Sequence, residues 1–210
     1  MLTPPTSRRP GLIHRGRPVP YITQWSGERP ARMPMVVRRG RIAYADQRPY
    51  DRDSQGVLWP RIPSQPGKGR PEFGMVHALR QRNAMEQLLC QVCAQPADRN
   101  DDGILWLLSE ELDTTDEDIV TPHPPVCLPC AHASISTCPH LRREFTAVRV
   151  RACEGAGVRG ALYEPADPHP VPVDAIAVAF GDPLINWVRA GQLLLRLTKY
   201  RRIELPEDVP

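Results

Sequence analysis

Apolar positions are unevenly spaced along the chain, and their spacing predicts a series of short elements. Residues 1–20 carry prolines and arginines without a hydrophobic period, which reads as an extended or disordered basic arm. Apolar anchors begin at Tyr21, Ile22 and Trp25. Residues 35–38 (MVVR) and 41–44 (RIAY) flank Arg39-Gly40 and predict a hairpin with glycine in its turn. Residues 56–62 offer another short strand, confined to an edge by Pro60, and 64–71 (SQPGKGRP) read as a turn-rich linker. Residues 73–89 place Val76, Leu79, Met85, Leu88 and Leu89 at helical spacing, with Arg80 and Arg82 outward.

The pattern continues with a buried strand at 104–108 (ILWLL) and an acidic solvated loop at 109–118. A helix is expected near Cys130, interrupted or ended by Pro139, whose ring clashes with a preceding turn. Alternation over 145–152 predicts a half-buried strand that forms a hairpin with 157–164, and 174–180 adds another strand. Asp182-Pro183 has N-cap and first-turn character and opens a predicted helix over Leu184, Trp187, Val188, Gly191, Leu194 and Leu195. A last strand falls at 201–205. These elements give an α+β fold of short strands and two main helices. The expected division is a basic arm at 1–20, a small irregular β segment with linker at 21–72, and an α+β domain at 73–210.

Composition narrows the class. With 210 residues and 41% hydrophobic content the chain can bury a core, while 25 prolines cut regular structure into short pieces. No apolar run approaches the roughly 20 residues of a membrane span, and residues 1–20 lack the apolar stretch of a secretory signal. A cytoplasmic protein with no membrane partner is expected. Net charge is only +3, yet residues 1–85 hold 16 Lys or Arg against 5 Asp or Glu, and residues 86–140 hold 1 against 10. A basic region beside an acidic one suits nucleic-acid contact; mutual neutralisation within one fold is the plainer alternative.

The residues with the most chemistry are Cys90-Gln-Val-Cys93 and Cys127-Leu-Pro-Cys130, two CxxC pairs separated by 33 residues. Thiolates three positions apart can face one tetrahedral ion, and a second pair completes an S4 shell that selects Zn2+, or less often iron. One structural zinc is therefore expected, since four protein ligands leave no open position for substrate. Six cysteines would also suit disulfides in an exported protein, but the missing export signal and the paired spacing favour metal. Cys138, His140 and His132 are alternative ligands, with His123 a further candidate. Cys153 reads as a small core residue.

The order helix, CxxC, short strand, long loop and CxxC at a helix start resembles a treble-clef zinc site. Residues 80–141 resemble the treble-clef group that includes the HNH nucleases. That resemblance implies a knuckle for the first pair and a helix start for the second, with Ala94 where knuckles usually place glycine. The layout is also similar to uncharacterised small proteins of actinobacteria and their phages, through PYITQWSGE, PPVCLPCA, CPHL and WVRAGQLLLRL. An HNH nuclease needs a histidine base and a positioning asparagine. Here His123 lies too near Cys127, and Asn83, Asn100 and Asn186 all lie outside the helix after Cys130. Phosphate-loop, nucleophile-elbow and HExxH motifs are absent as well.

A non-catalytic, zinc-stabilised binding module is thus the expected class. Its expected ligand is DNA or RNA, met by Arg8, Arg9, Arg15, Arg17, Arg38, Arg39 and Arg41. A protein–protein adaptor is the second reading, through the acidic loop or the apolar C-terminal segment, and a degenerate HNH-type nuclease the third.

Overall fold

A computed structural model of the chain describes residues 12–108 and 118–205. In chain order the elements are β1 (Ile13–His14), β2 (Arg17–Pro18), β3 (Thr23–Trp25), β4 (Met35–Arg38), β5 (Arg41–Tyr44) and β6 (Pro71–Val76). Helix α1 (Ala78–Glu86), β7 (Arg99–Asn100), β8 (Gly103–Leu108), β9 (Ile119–Thr121) and α2 (Leu128–Thr137) follow. The C-terminal part is β10 (Thr146–Glu164), β11 (Val171–Ala179) and β12 (Val188–Ile203). Helix and sheet are mixed, with sheet dominant. No helix among the described residues is long and apolar enough to cross a membrane.

The centre is an antiparallel sheet in the order β7-β8-β10-β12-β9, with β11 also paired to β10. Strand β10 is long enough to pair along one edge first with β8, through residues 146–150, and then with β11, through residues 157–164. Its other edge runs along β12. The apolar run in β8 is explained by cover on both faces, as in any doubly buried strand. Ile104, Trp106 and Leu108 face the main core with Val148, Val150, Leu195 and Leu197. Leu105 and Leu107 face a second cluster with Cys90, Val126, Ala131 and Ala147. Trp106, Leu105 and Leu197 are wholly buried, and each such side chain contributes roughly 1.5–3 kcal/mol by leaving water.

Several expectations hold. The 35–44 hairpin forms, and Arg39 (φ 51°) with Gly40 (φ 72°) gives the two left-handed residues of a type I′ turn. Strand 104–108 and the strand near 174–180 are present. Helix α2 ends before Pro139, with Cys138 as its C-cap.

Others are corrected. The 73–89 segment is strand β6 followed by a shorter helix, because Gly74 weakens a helix there and His77 supplies the cap: its Nδ1 accepts the Arg80 backbone N–H. Arg80 is buried, and only Arg82 keeps to the surface side, over the Trp59 ring. The predicted helix over 184–195 is a one-turn 3-10 segment (Pro183–Trp187) running into β12. The Asp182 cap is real, since its carboxylate accepts the Leu184 N–H at 2.9 Å. Beyond it, pairing to β10 and β9 on both edges overrides the helix preference of a leucine-rich run containing Gly191. Residues 146–164 form one strand instead of a hairpin. Gly155 and Gly157 mark a register shift, and a Cβ at Gly157 would collide with the Val178 carbonyl. Residues 56–62 make only isolated bridges from Leu58 to Arg52 and Arg189, and 201–203 continue β12.

The expected arm at 1–20 is described only from residue 12, where β1 and β2 form a small hairpin. The acidic loop is described only at Asp118, which pairs with Arg196 at 3.2 Å; residues 109–117 lie outside the described residues.

Two buried polar devices anchor α1, one to the central sheet and one to the N-terminal segment. Gln81, wholly buried on α1, accepts the Leu193 N–H and donates to the Leu193 and Pro122 carbonyls. Arg80 meets Glu28 through two guanidinium nitrogens, at 2.5 and 2.7 Å, and donates to the Tyr21 and Thr23 carbonyls. Glu28 also accepts the Trp25 and Gln65 N–H groups. None of these partners is adjacent in sequence.

Candidate metal centre

The first cysteine pair sits on a turn built by backbone bonds. Cys90 N–H donates to Gln95 O and Ala94 N–H donates to Cys90 O, at 2.7 and 2.9 Å, while Val92 N–H points at Cys90 Sγ from 3.4 Å. Leu88 and Ala94 take left-handed conformations (φ 51° and 58°) to close the loop. Gln91 donates to Pro125 O, and Tyr21 and Ile22 donate to Val92 O and Gln91 O, so the turn is braced from both sides. Ala94 occupies the position where glycine is the ordinary choice, and an alanine in this region costs about 1–2 kcal/mol. Ala94→Gly removes that strain against an entropic cost of about 0.5–1 kcal/mol. It should therefore leave the melting temperature unchanged or raise it by a few degrees; a clear fall would contradict the conformation.

The second pair uses a helix start. Cys127 is the N-cap of α2, with extended backbone and no side-chain cap bond, and proline occupies the first turn. Cys130 lies within that turn. The unpaired N–H groups and dipole of a helix N-terminus favour thiolate charge.

The four sulfurs of Cys90, Cys93, Cys127 and Cys130 all lie within 4.8 Å of one another. Cys93 and Cys127 are 3.7 Å apart. Cys90 is wholly buried and the other three are half-buried. Hydrogen bonds from Cys127, and then Cys130, draw the Cys90 thiol down to about 7 and hold Cys93 lower still. Cys130 is pushed up, chiefly by Cys127. Cys127 is drawn down by Cys130 but pushed up further by Cys90, Cys93 and burial, and ends high. Four thiols this close cannot all ionise unless a cation balances them. Four convergent, soft, deprotonatable donors could hold one metal ion.

All six cysteines are free thiols. Cys138, His140 and His132 are not in the converging group. Cys138 caps the far end of α2 and, with His140, lines a groove beside Phe73. His132 lies on α2, two residues past Cys130, and its Nε2 is buried without a hydrogen-bond partner among the described residues. His123 contributes its carbonyl to Trp106 Nε1. Cys153 packs against the main core, where burial pushes its thiol up.

The arginines fall in two places, neither at the cysteines. Arg15 and Arg17 are exposed on the β1–β2 hairpin, and Arg38, Arg39 and Arg41 surround the β4–β5 turn, where Arg38 donates to Ala45 O. Arg8 and Arg9 lie outside the described residues. Arg70, in the segment read as a linker, shares a hollow with Arg15 and Arg17. No sequence signal marks it, because 64–71 has neither a period nor a motif. No family model, curated protein or solved structure matches this chain.

Proposed function

We propose that the protein is a non-catalytic module whose four cysteines hold one structural zinc ion in a treble-clef-like arrangement, and that its Arg-rich N-terminal region contacts nucleic acid. The convergence of four sulfurs within 4.8 Å carries the metal half of this reading. The turn bearing Cys90 and Cys93, the β7–β8 hairpin, β9 and then the helix after Cys127 support the treble-clef-like reading. Four protein donors fill a tetrahedral shell and leave no position for a reacting water. The nucleic-acid half is supported by the exposed arginines of two hairpins and by the charge balance of residues 1–85.

Elemental analysis of purified protein should give one zinc per chain. Binding of a mixed pool of single-stranded and duplex oligonucleotides should weaken steeply with salt, because phosphate contacts release counterions. Replacing Arg15, Arg17, Arg38, Arg39 and Arg41 together by Gln should flatten that dependence. A protein purified without metal that keeps its turn at Cys90 and its helix at Cys127 ordered overturns the first half; no binding at low salt overturns the second.

A further inference from the structure

The hollow beside the β1–β2 hairpin combines grouped positive charge with an exposed aromatic ring. His14, Arg15, Arg17, Arg70, Pro71 and Phe73 line a space of about 590 Å3, and no acidic residue lines it. Arg61, Arg80, Arg82, Arg149, Arg151, Arg196 and Arg201 each meet a carboxylate, whereas Arg38, Arg39 and Arg41 meet none among the described residues; what sets this hollow apart is the grouping of three arginines beside an exposed ring. Arg15, Arg17 and Arg70 have no carboxylate partner among the described residues.

Phe73 is presented by an irregularity in the ladder. Gln24 stands opposite Glu72 and Thr23 opposite Val76, so Phe73, Gly74 and Met75 have no facing residue on β3. They bulge outward, leaving Phe73 57% and Met75 53% exposed. Burying either ring or thioether in the core would have been the favourable default. The hairpin opposite is fixed: His14 sits edge-on to Trp25 with centroids 6.4 Å apart, and Val19 N–H donates to Leu12 O. Arg17 and Phe73 also line an adjoining groove of about 450 Å3 that leads to Thr137, Cys138 and His140. The two spaces meet at Phe73.

We infer that this hollow binds single-stranded nucleic acid, with a base stacked on Phe73 and the flanking phosphates held by Arg15, Arg17 and Arg70. The assignment rests on the nucleic-acid reading above and narrows it. A duplex keeps its bases stacked on one another, so it can use the arginines but not the ring. An unpaired base offers a face to any aromatic side chain regardless of sequence, and stacking of this kind accounts for about tenfold or more in affinity per base. Strands of about 4–16 nucleotides are the usual span for such a platform.

The test uses full-length protein and fluorescein-labelled deoxyuridine and uridine oligomers of about 10 nucleotides, each alone and annealed to its complement. Either single strand should bind at least about tenfold tighter than its duplex. Phe73→Ala should weaken single-strand binding about tenfold and leave duplex binding and the melting temperature unchanged, while Phe73→Tyr should retain parental affinity. Arg17→Gln and Arg70→Gln should each lower the single-strand salt slope by about 0.7. Preference for one sugar still supports the inference and identifies whether RNA or DNA is the ligand. Duplex binding equal to or tighter than single-strand binding, or a silent Phe73→Ala, overturns the inference while the broader nucleic-acid reading stands. Absence of binding to every oligomer at low salt overturns both.

Discussion

Replacing Cys90 with alanine should abolish metal binding and loosen the protein around the site more than any other single change. Cys90 is the one cysteine of the four with no solvent exposure, and its side chain belongs to the cluster formed by Leu105, Leu107, Val126 and Ala131. Structural zinc in isolated finger peptides accounts for about 10–16 kcal/mol of apparent binding free energy, and that energy is folding free energy. Here the larger cluster around Trp106, Val148 and Leu197 is separate from the sulfurs. Loss of the ion should therefore unfold locally, with amides of residues 88–98 and of α2 losing hydrogen-exchange protection while those of β10 and β12 keep theirs. Elemental analysis should fall from one zinc per chain to none, and the melting temperature should fall by about 10 °C or more. A Cys90→Ala protein that retains stoichiometric zinc and parental protection around Cys127 would show that the four sulfurs do not act together.

The second large effect is expected at the Glu28–Arg80 pair. Both side chains are essentially out of solvent, and each is saturated by further bonds to backbone. Arg80→Met leaves a buried carboxylate without its counter-charge, which costs about 3–5 kcal/mol. Denaturant unfolding should show this as a lower midpoint with little change in slope. Combining Arg80→Met with Glu28→Leu should recover much of the loss, because no uncompensated charge then remains. If Arg80→Met alone unfolds at the parental midpoint, the pair does not hold this corner together.

The same corner sets an acid limit. Burial resists ionisation of Glu28, but the Arg80 guanidinium and the Trp25 and Gln65 N–H groups outweigh it and hold the carboxyl below its ordinary value. Its stabilisation is complete above the unfolded carboxylate pKa, roughly 4.3, and is lost as pH falls through the lower folded value. His77, wholly buried with its Nε2 against Pro63 O, is pushed down by burial and by Arg80. The unfolded imidazole takes up a proton below roughly 6.5 while the folded one resists, so stability declines as pH falls there too. Both groups act in the same direction, and the parental protein should lose stability continuously below about pH 6.5. Arg80→Met should flatten the part of that loss that Glu28 contributes below roughly pH 4.3, because the carboxyl no longer ionises favourably.

The cysteine tetrad, the β4–β5 turn and the end of α2 were legible in the sequence because each depends on local chemistry. CxxC spacing is set by how two thiols straddle one turn. An Arg-Gly pair between apolar strands specifies a left-handed turn, and proline stops a helix wherever it falls. The buried pair was not legible: Glu28 and Arg80 are 52 positions apart, and an arginine on a helix face is ordinarily solvated. Nor was the bulge at Phe73, since a run ending in VHALRQRNAMEQLL reads as helix from its first apolar residue. What ended it was Gly74, pairing to β3 and the His77 cap.

The chain by itself determined that four sulfurs would be available in two pairs and that its positive charge would gather toward the N-terminal half. Both follow from residue identity at fixed spacing. Only the tertiary structure decided that residues 188–203 would be a strand, because that outcome depends on two neighbours, β10 and β9, whose unpaired edges are satisfied only if this leucine-rich segment extends. It also decided which arginines are neutralised and which face solvent beside an exposed ring, since ion pairs across 50 or more residues are made by packing and leave no trace in local sequence.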